Sequence, residues 1–286
     1  MPRASRTAVL SAGLALIAAL SACGTEPLPQ VRALMATQPD ARPAAGAMLS
    51  QVIGKINERG NVRSSVRGSL GMVGELAAEG TVRYRGPLTD LAFSGQTRAP
   101  GDKPQHIELS IVDGVGYLQT PLTRPAPDKP WLKITPGGAD FGAKLLSPAL
   151  HQLHEAVDPR ATFSGVETAT RIQQSAPDTV DGKPTTRYDL RVITSQAADV
   201  AADPQQRAQF RQASEDGEPE LGYQLWLDES GLPARFAASQ EVAQAGKVSL
   251  TSTYRDWGAA TEIPVPPAGQ VGVFEDLPRQ AQQPPR

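Results

Sequence analysis

Apolar and polar residues alternate with a period of two through most of this chain, and that pattern limits what it can fold into. Ile107, Leu109 and Ile111 alternate with Glu108 and Ser110. The run ends at Asp113-Gly114, a pair suited to the positive backbone angles of a tight hairpin, and Val115-Gly116-Tyr117-Leu118 follows. Val82 and Tyr84 alternate with Arg83 and Arg85, Leu91 and Phe93 follow Pro87, and Trp131-Leu132-Lys133-Ile134 is another short run. The stretch Phe163 to Ile172 reads as a strand, leading to a second hairpin pair at Asp181-Gly182. Beyond it Tyr188, Leu190 and Val192 alternate with Arg187, Asp189 and Arg191. Tyr223, Leu225 and Leu227 alternate before Asp228-Glu229-Ser230-Gly231, and two strands follow over 233–242 and 247–256. Val248, Leu250, Ser252 and Tyr254 share one face of the last. Strands of this kind bury one face and wet the other, as in an antiparallel meander.

The period changes to that of a helix in three places. Met48, Leu49, Val52, Ile53 and Ile56 fall on one side of 46–58. The polar face of that helix is not basic, so it is expected to cover a sheet and not to lie on a membrane. Residues 138–157 carry Leu145, Leu146, Leu150, Leu153 and Val157, with Pro148 inside the pattern; a start near Ser147, with Pro148 in the first turn, is expected. Residues 195–216 form a third helix broken by Pro204. Strands and helices do not alternate, which argues against a parallel α/β fold. The expectation is an α+β fold: one large antiparallel sheet of about ten or eleven strands curled around about three helices.

The first residues give an address. Arg3 and Arg6 precede an apolar run from Ala8 to Leu20, followed by Ser21-Ala22-Cys23. This is the layout of a secretory signal, and the run is too short to span a bilayer comfortably. The Leu20-Ser21-Ala22-Cys23 ending resembles the bacterial lipobox, in which the cysteine is acylated and becomes the first residue after cleavage. That resemblance implies that residues 1–22 are a signal peptide and that Cys23 is the lipid attachment site. Residues 23–45 are then a lipidated tether, with four prolines between 24 and 45. Two or more acyl chains anchor a protein stably, which places it on the outer face of the cytoplasmic membrane. The folded domain is expected over 46–270. Residues 258–286 hold six prolines, and the stretch 271–286 is expected to be a disordered tail.

Charge and motifs exclude much. A net charge of −2 removes a bulk electrostatic case for nucleic acid. With one cysteine and three histidines there is no disulfide framework and no cysteine-built zinc site. No G-x-S-x-G, P-loop or dinucleotide loop occurs, and no nucleophile–base set is visible. His151 and His154 could share a helix face, but no third metal ligand accompanies them. Glu215, Asp216, Glu218 and Glu220 read as a solvated loop without calcium-loop spacing. Arg83, Arg85, Arg187 and Arg191 read as the wet face of a sheet, with contact to anionic head groups as the alternative. No catalytic residue, cofactor or metal is expected.

Several local marks stand in a fixed order. They are Asp113-Gly114-Val115-Gly116-Tyr117; Pro130-Trp131-Leu132-Lys133-Ile134; Leu225-Trp226-Leu227-Asp228 with Gly231-Leu232-Pro233-Ala234-Arg235; and Tyr254-Arg255-Asp256-Trp257-Gly258 leading to Ile263-Pro264 and Pro266-Pro267. With the lipobox and the proline-containing tether they resemble the LppX/LprAFG-type lipoproteins of actinobacteria, which share the LolA/LolB-like fold. That resemblance implies a half-open antiparallel β-barrel with helices on its concave side, enclosing an apolar cavity for lipid or lipoglycan. Acyl chains need only apolar area, at about 25 cal/mol per Å² removed from water, so no signature motif is expected. The inward candidates for such a lining are Tyr84, Phe93, Leu109, Ile111, Leu150, Leu153, Tyr188, Leu190, Leu225 and Leu250. The same side chains could equally fill a solid core, and the fold would then serve as a docking module for an envelope transporter, a sensor or cell-wall machinery. A hydrolase of envelope polymers is the third reading. A monomer is expected.

Overall fold

The computed structural model describes residues 45–276 apart from 71–73, 100, 122–123, 136, 139–140 and 243–245. The expected signal peptide, Cys23, nearly all of the tether and residues 277–286 lie outside the described residues. The chain opens with helix α1 (Ala45–Arg59) and continues into strands β1 (Asn61–Leu70), β2 (Glu75–Arg85), β3 (Leu88–Arg98), β4 (Gln105–Val112), β5 (Val115–Gln119) and β6 (Trp131–Ile134). Helices α2 (Phe141–Val157) and α3 (Pro159–Phe163) come next. The second meander is β7 (Thr170–Val180), β8 (Lys183–Ile193), helices α4 (Thr194–Val200) and α5 (Pro204–Glu215), then β9 (Glu220–Leu227), β10 (Pro233–Val242) and β11 (Gly246–Arg255). A two-residue β12 (Val271–Gly272) closes the list.

All twelve strands form one curved, unclosed sheet in the order β12-β6-β5-β4-β3-β2-β1-β11-β10-β9-β8-β7. Each half of the chain makes its own meander, and β1 joins them by pairing with β11, Val66 opposite Ser252 and Gly68 opposite Leu250. Both Asp-Gly pairs turn hairpins as expected, with φ of 51° and 76° at Asp113-Gly114 and 50° and 76° at Asp181-Gly182.

The alternation read from the sequence becomes one apolar inner face. Leu132, Leu118, Leu109 and Phe93 stand opposite one another on β6, β5, β4 and β3. A second row runs Leu250, Ala238, Tyr223, Leu190 and Ile172 across β11 to β7. α1 covers part of this face with Ala45, Leu49, Val52 and Ile56, all buried. α2 lies over β1, β6, β10 and β11. It comes down onto Gly116, where a Cβ would stand 2.7 Å from Leu150 Cδ1.

Three expectations need correction. α2 begins at Phe141, not near Ser147, so Pro148 sits inside the helix. An internal proline removes one backbone hydrogen bond; the apolar stripe on both sides of it, with Leu146, Leu150 and Leu153 packed on the core, holds the helix together. The stretch Phe163 to Ile172 is not one strand. Asp158 caps α3, its carboxylate accepting from the Arg160 N–H at 2.9 Å with Pro159 in the first turn; a 3₁₀ turn follows, and β7 starts only at Thr170. Residues 195–216 are two helices, because Asp203 caps α5 by accepting from Gln205 N–H at 2.7 Å. The sheet therefore has twelve strands and the fold five α-helices among the described residues.

The C-terminal segment crosses the outer face. Gly258 N–H donates to Asn61 O (2.8 Å), and Ser110, on the outer side of β4, donates to Pro264 O (3.3 Å). Val271-Gly272 then pairs in parallel with Trp131-Leu132, so sheet pairing extends beyond residue 270 into the expected tail.

A buried polar knot fastens the α2–α3 elbow to the sheet. Arg160 is 5% exposed and Asp158 2%. Arg160 Nε and Nη2 donate to the two Asp158 oxygens at 3.1 and 2.9 Å. Nη1 donates to Asn57 Oδ1 (2.5 Å) and Gly86 O (2.9 Å), and Nη2 to Thr89 Oγ1 (2.7 Å). Thr89 in turn donates to Asp158, and the guanidinium lies 4.3 Å from the centre of the Tyr84 ring. Tyr84 and Tyr254 hydroxyls both donate to Val157 O, at 3.3 and 3.2 Å, and Trp257 packs on both rings. Truncating one partner of a buried pair strands the other. Arg160→Met should therefore lower unfolding free energy by about 3 kcal/mol or more in urea titration, and Asp158→Asn added to it should cost less than its single effect. A loss below about 1 kcal/mol would mean the knot does not hold the elbow.

Candidate functional site

The structure places the ten sequence-chosen residues on or beside the core, and packs them against each other. Tyr84, Phe93, Leu109, Ile111, Leu153, Leu190, Leu225 and Leu250 are buried members of one cluster, with Leu150 and Tyr188 half-buried against it. Among them Leu250 borders a void, a space of about 10 Å³ between α2 and the sheet. That is room for about one water. The open space lies elsewhere.

It is a cleft of about 760 Å³ between α2 and α5, floored by Leu221 and Tyr223 of β9 and by Phe210. His151, Gln152 and Glu155 line it from α2, and Gln206, Gln209 and Gln212 from α5. The spacing that sets Leu150 and Leu153 inward turns His151 and Gln152 into this cleft. The Pro204 break redirects the chain so that α5 forms its other wall. The cleft shares Gln152, Glu155, Thr162, Tyr223 and Gln240 with the void at Leu250, so its floor abuts the inner face of the sheet. None of the glutamines was singled out by the sequence pattern; a glutamine-rich helix face carries no periodic signal of its own.

Side-chain bonds cross and brace the cleft. His151 Nε2 meets Gln209 Nε2 at 2.8 Å, joining α2 to α5, and lies 3.4 Å from Glu155 Oε1. Gln206 Nε2 donates to Ala161 O at 3.1 Å, and Gln240 Nε2 to the Tyr223 hydroxyl at 2.8 Å. Burial raises the Tyr223 hydroxyl well above the ordinary tyrosine range, so it stays protonated. Among the described residues no group of three or more His, Cys, Asp or Glu is placed to hold a metal ion. No described helix is long and apolar enough to cross a membrane.

The two histidines of α2 are set in opposite directions. The hydrogen bond and charge of Glu155 raise His151 above 6.5, while burial lowers His154 below it, opposed by Asp158 and Glu155 and reinforced by His151 and Arg160. A second cavity of about 570 Å³ lies beside both, bordered by Asp158 and Arg160. On the outer face, burial raises the Asp90 carboxyl, but bonds from Arg85, Arg83 and the Asp113 amide outweigh it and hold the group at about 2.

No family model matches the chain, and no curated protein matches its sequence. Solved structures similar to it include LprF from Mycobacterium bovis, at 14% identity over 78% of this chain and 97% of that one, with a TM-score of 0.44. Another is a DUF1329 family protein from Desulfovibrio piger, at 9% identity over 74% and 90% of the two chains, with a TM-score of 0.23. LprF is one of the LppX/LprAFG-type lipoproteins whose sequence marks this chain resembles. What this chain binds is read from its own residues.

The histidine shifts give stability effects of opposite sign. His154, lowered, costs stability as pH falls through about 6.5, because the unfolded chain takes the proton first. His151, raised, adds stability that is fully present below 6.5 and is lost as pH rises through its folded value. Denaturation midpoints measured from about pH 7.5 to 5 should fall less steeply with acid in His154→Gln than in the parent, and more steeply in His151→Gln. Equal slopes in all three proteins would contradict the assignment.

Proposed function

We propose that this protein is a membrane-tethered, non-enzymatic lipoprotein that binds an amphipathic ligand, a lipid or lipoglycan, between its curved sheet and α2, and carries it at the cell envelope. The observation that supports this reading most directly is the contact between the cleft and the core. A space of about 760 Å³ falls in the range of small-molecule sites. Its floor abuts the void at Leu250, behind which the apolar rows of the inner face begin. The cleft is of mixed character, and its His151, Glu155 and glutamine side chains suit a head group. The inner face is apolar and suits acyl chains, each buried methylene contributing about 0.8 kcal/mol. In the described conformation side chains fill the core, so the ligand enters as α2 lifts from Gly116 and displaces Leu150 and Leu153 from the sheet. An equilibrium of this kind needs only a ligand that binds the lifted state better than the closed one.

Acylation at Cys23 supplies the tether in this reading, and places the domain outside the cytoplasmic membrane. A second reading, a docking module for an envelope transporter or other machinery, is favoured by one observation: the eight buried candidates already fill the space that a cavity would need.

Binding of a fluorescent acyl probe separates the two. The parent protein should take up the probe saturably. Leu150→Trp, and separately Ala238→Phe at the void, should reduce uptake several-fold in protein whose circular dichroism is unchanged. No uptake by the parent, or uptake equal in both folded variants, would favour the docking module. For the tether, Cys23→Ala should move the protein from the membrane fraction to the soluble fraction. A variant that stays with the membrane would remove Cys23 as the anchor.

A further inference from the structure

Strand β7 carries one extra residue. The pairing with β8 runs Ile172 to Leu190 and then Gln174 to Asp189, leaving Gln173 as a bulge. Bulges commonly re-aim a side chain, and here Gln173 Oε1 accepts from Arg191 Nε at 3.0 Å. Arg191 pairs across to Gly222 of β9. A Cβ on Gly222 would stand 1.8 Å from Arg191 Nη1, so the guanidinium lies over bare backbone and a side chain at 222 would displace it. A bulge, an arginine and a strand glycine on three neighbouring strands thus set one guanidinium on the outer face of the sheet.

That guanidinium borders a trough of about 540 Å³, whose other wall carries the hydroxyls of Ser239, Ser249 and Thr251. The nearest carboxylate is already engaged: Asp189 accepts from Gln224 Nε2 at 2.8 Å and from Arg187 Nη2 at 3.3 Å. Among the described residues no carboxylate pairs with Arg191. Gln173 spends its carbonyl on Arg191 Nε, which leaves its amide N–H groups as donors. The trough therefore presents a planar cation, an amide donor and three hydroxyls, with one carboxylate already neutralised.

We propose that the outer face of β8–β11 is an oxyanion site, in which Arg191 takes a carboxylate or phosphate group in a two-pronged hydrogen bond. A guanidinium matches both groups in that geometry. This site is on the opposite face from the lipid site proposed above and does not depend on it.

Titrating ¹⁵N-labelled protein with inorganic phosphate, and separately with acetate, at fixed ionic strength tests the site. The Arg191 Nε–H and Gly222 amide signals should shift saturably with at least one of the two anions. Phosphate alone identifies a phosphate ester as the group recognised, and acetate alone a carboxylate. Arg191→Gln should weaken binding about tenfold or more, since charge-assisted hydrogen bonds are lost. Gln173→Ala and Gly222→Ala, which leave the charge in place but release or displace it, should weaken binding several-fold. Arg98→Gln makes the same change of charge at an exposed position of β3, three strands from β11, and should change nothing. Shifts that never saturate with either anion, or an equal loss in Arg98→Gln and Arg191→Gln, would overturn the proposal.

Discussion

A buried guanidinium needs a partner for every N–H, and Arg160 meets that demand with groups from four parts of the chain. Asn57 comes from α1, Gly86 from the β2–β3 turn, Thr89 from β3 and Asp158 from the elbow itself. Loss of any one leaves a polar group without water and without a partner, which costs about 1–3 kcal/mol and more for a charge. The knot therefore fixes where α2 ends and α3 begins. Through the Tyr84 and Tyr254 hydroxyls on Val157 O it fixes the C-terminal end of α2 on the sheet. Farther along α2, Leu150 packs over Gly116 and His151 bonds to Gln209 of α5. The C-terminal end is held to the sheet by polar bonds, whereas Leu150 and Leu153 meet it through apolar contacts.

That asymmetry bears on ligand entry. Apolar contacts are non-directional and can be exchanged for contacts with an acyl chain at little net cost. Polar bonds at the elbow cannot be exchanged in this way. The closed core of the described conformation and a binding function are then compatible, provided that the ligand replaces the side chains it displaces. The cleft between α2 and α5 is bridged by His151 and Gln209.

Local pattern carried the sheet and not the site. Alternation and two Asp-Gly pairs are sufficient to place most strands and their inward faces, because a period of two leaves no choice of face once one strand is buried. The helix boundaries were less legible. Pro148 reads as a start signal but lies mid-helix, and Phe163 reads as strand but ends α3 and packs against Tyr223 and Phe236 at 5.4 and 5.8 Å. The knot was invisible because Asn57, Gly86, Thr89 and Arg160 meet only in three dimensions. The inward list of Tyr84 to Leu250 correctly names core residues, but pattern alone does not tell a side chain facing another side chain from one facing a void. Arg191 reads as one more wet-face arginine; only the bulge at Gln173 and the bare backbone of Gly222 distinguish it from Arg83 and Arg85, which pair with Asp90.

The central claim, that the inner face of the sheet receives a lipid, is tested most directly by native mass spectrometry of the protein released gently from membranes in detergent. The account predicts a discrete added mass that survives transfer to the gas phase, extracts into organic solvent and is separate from any mass on Cys23. A clean unliganded mass, with no uptake of added phospholipid, would contradict it.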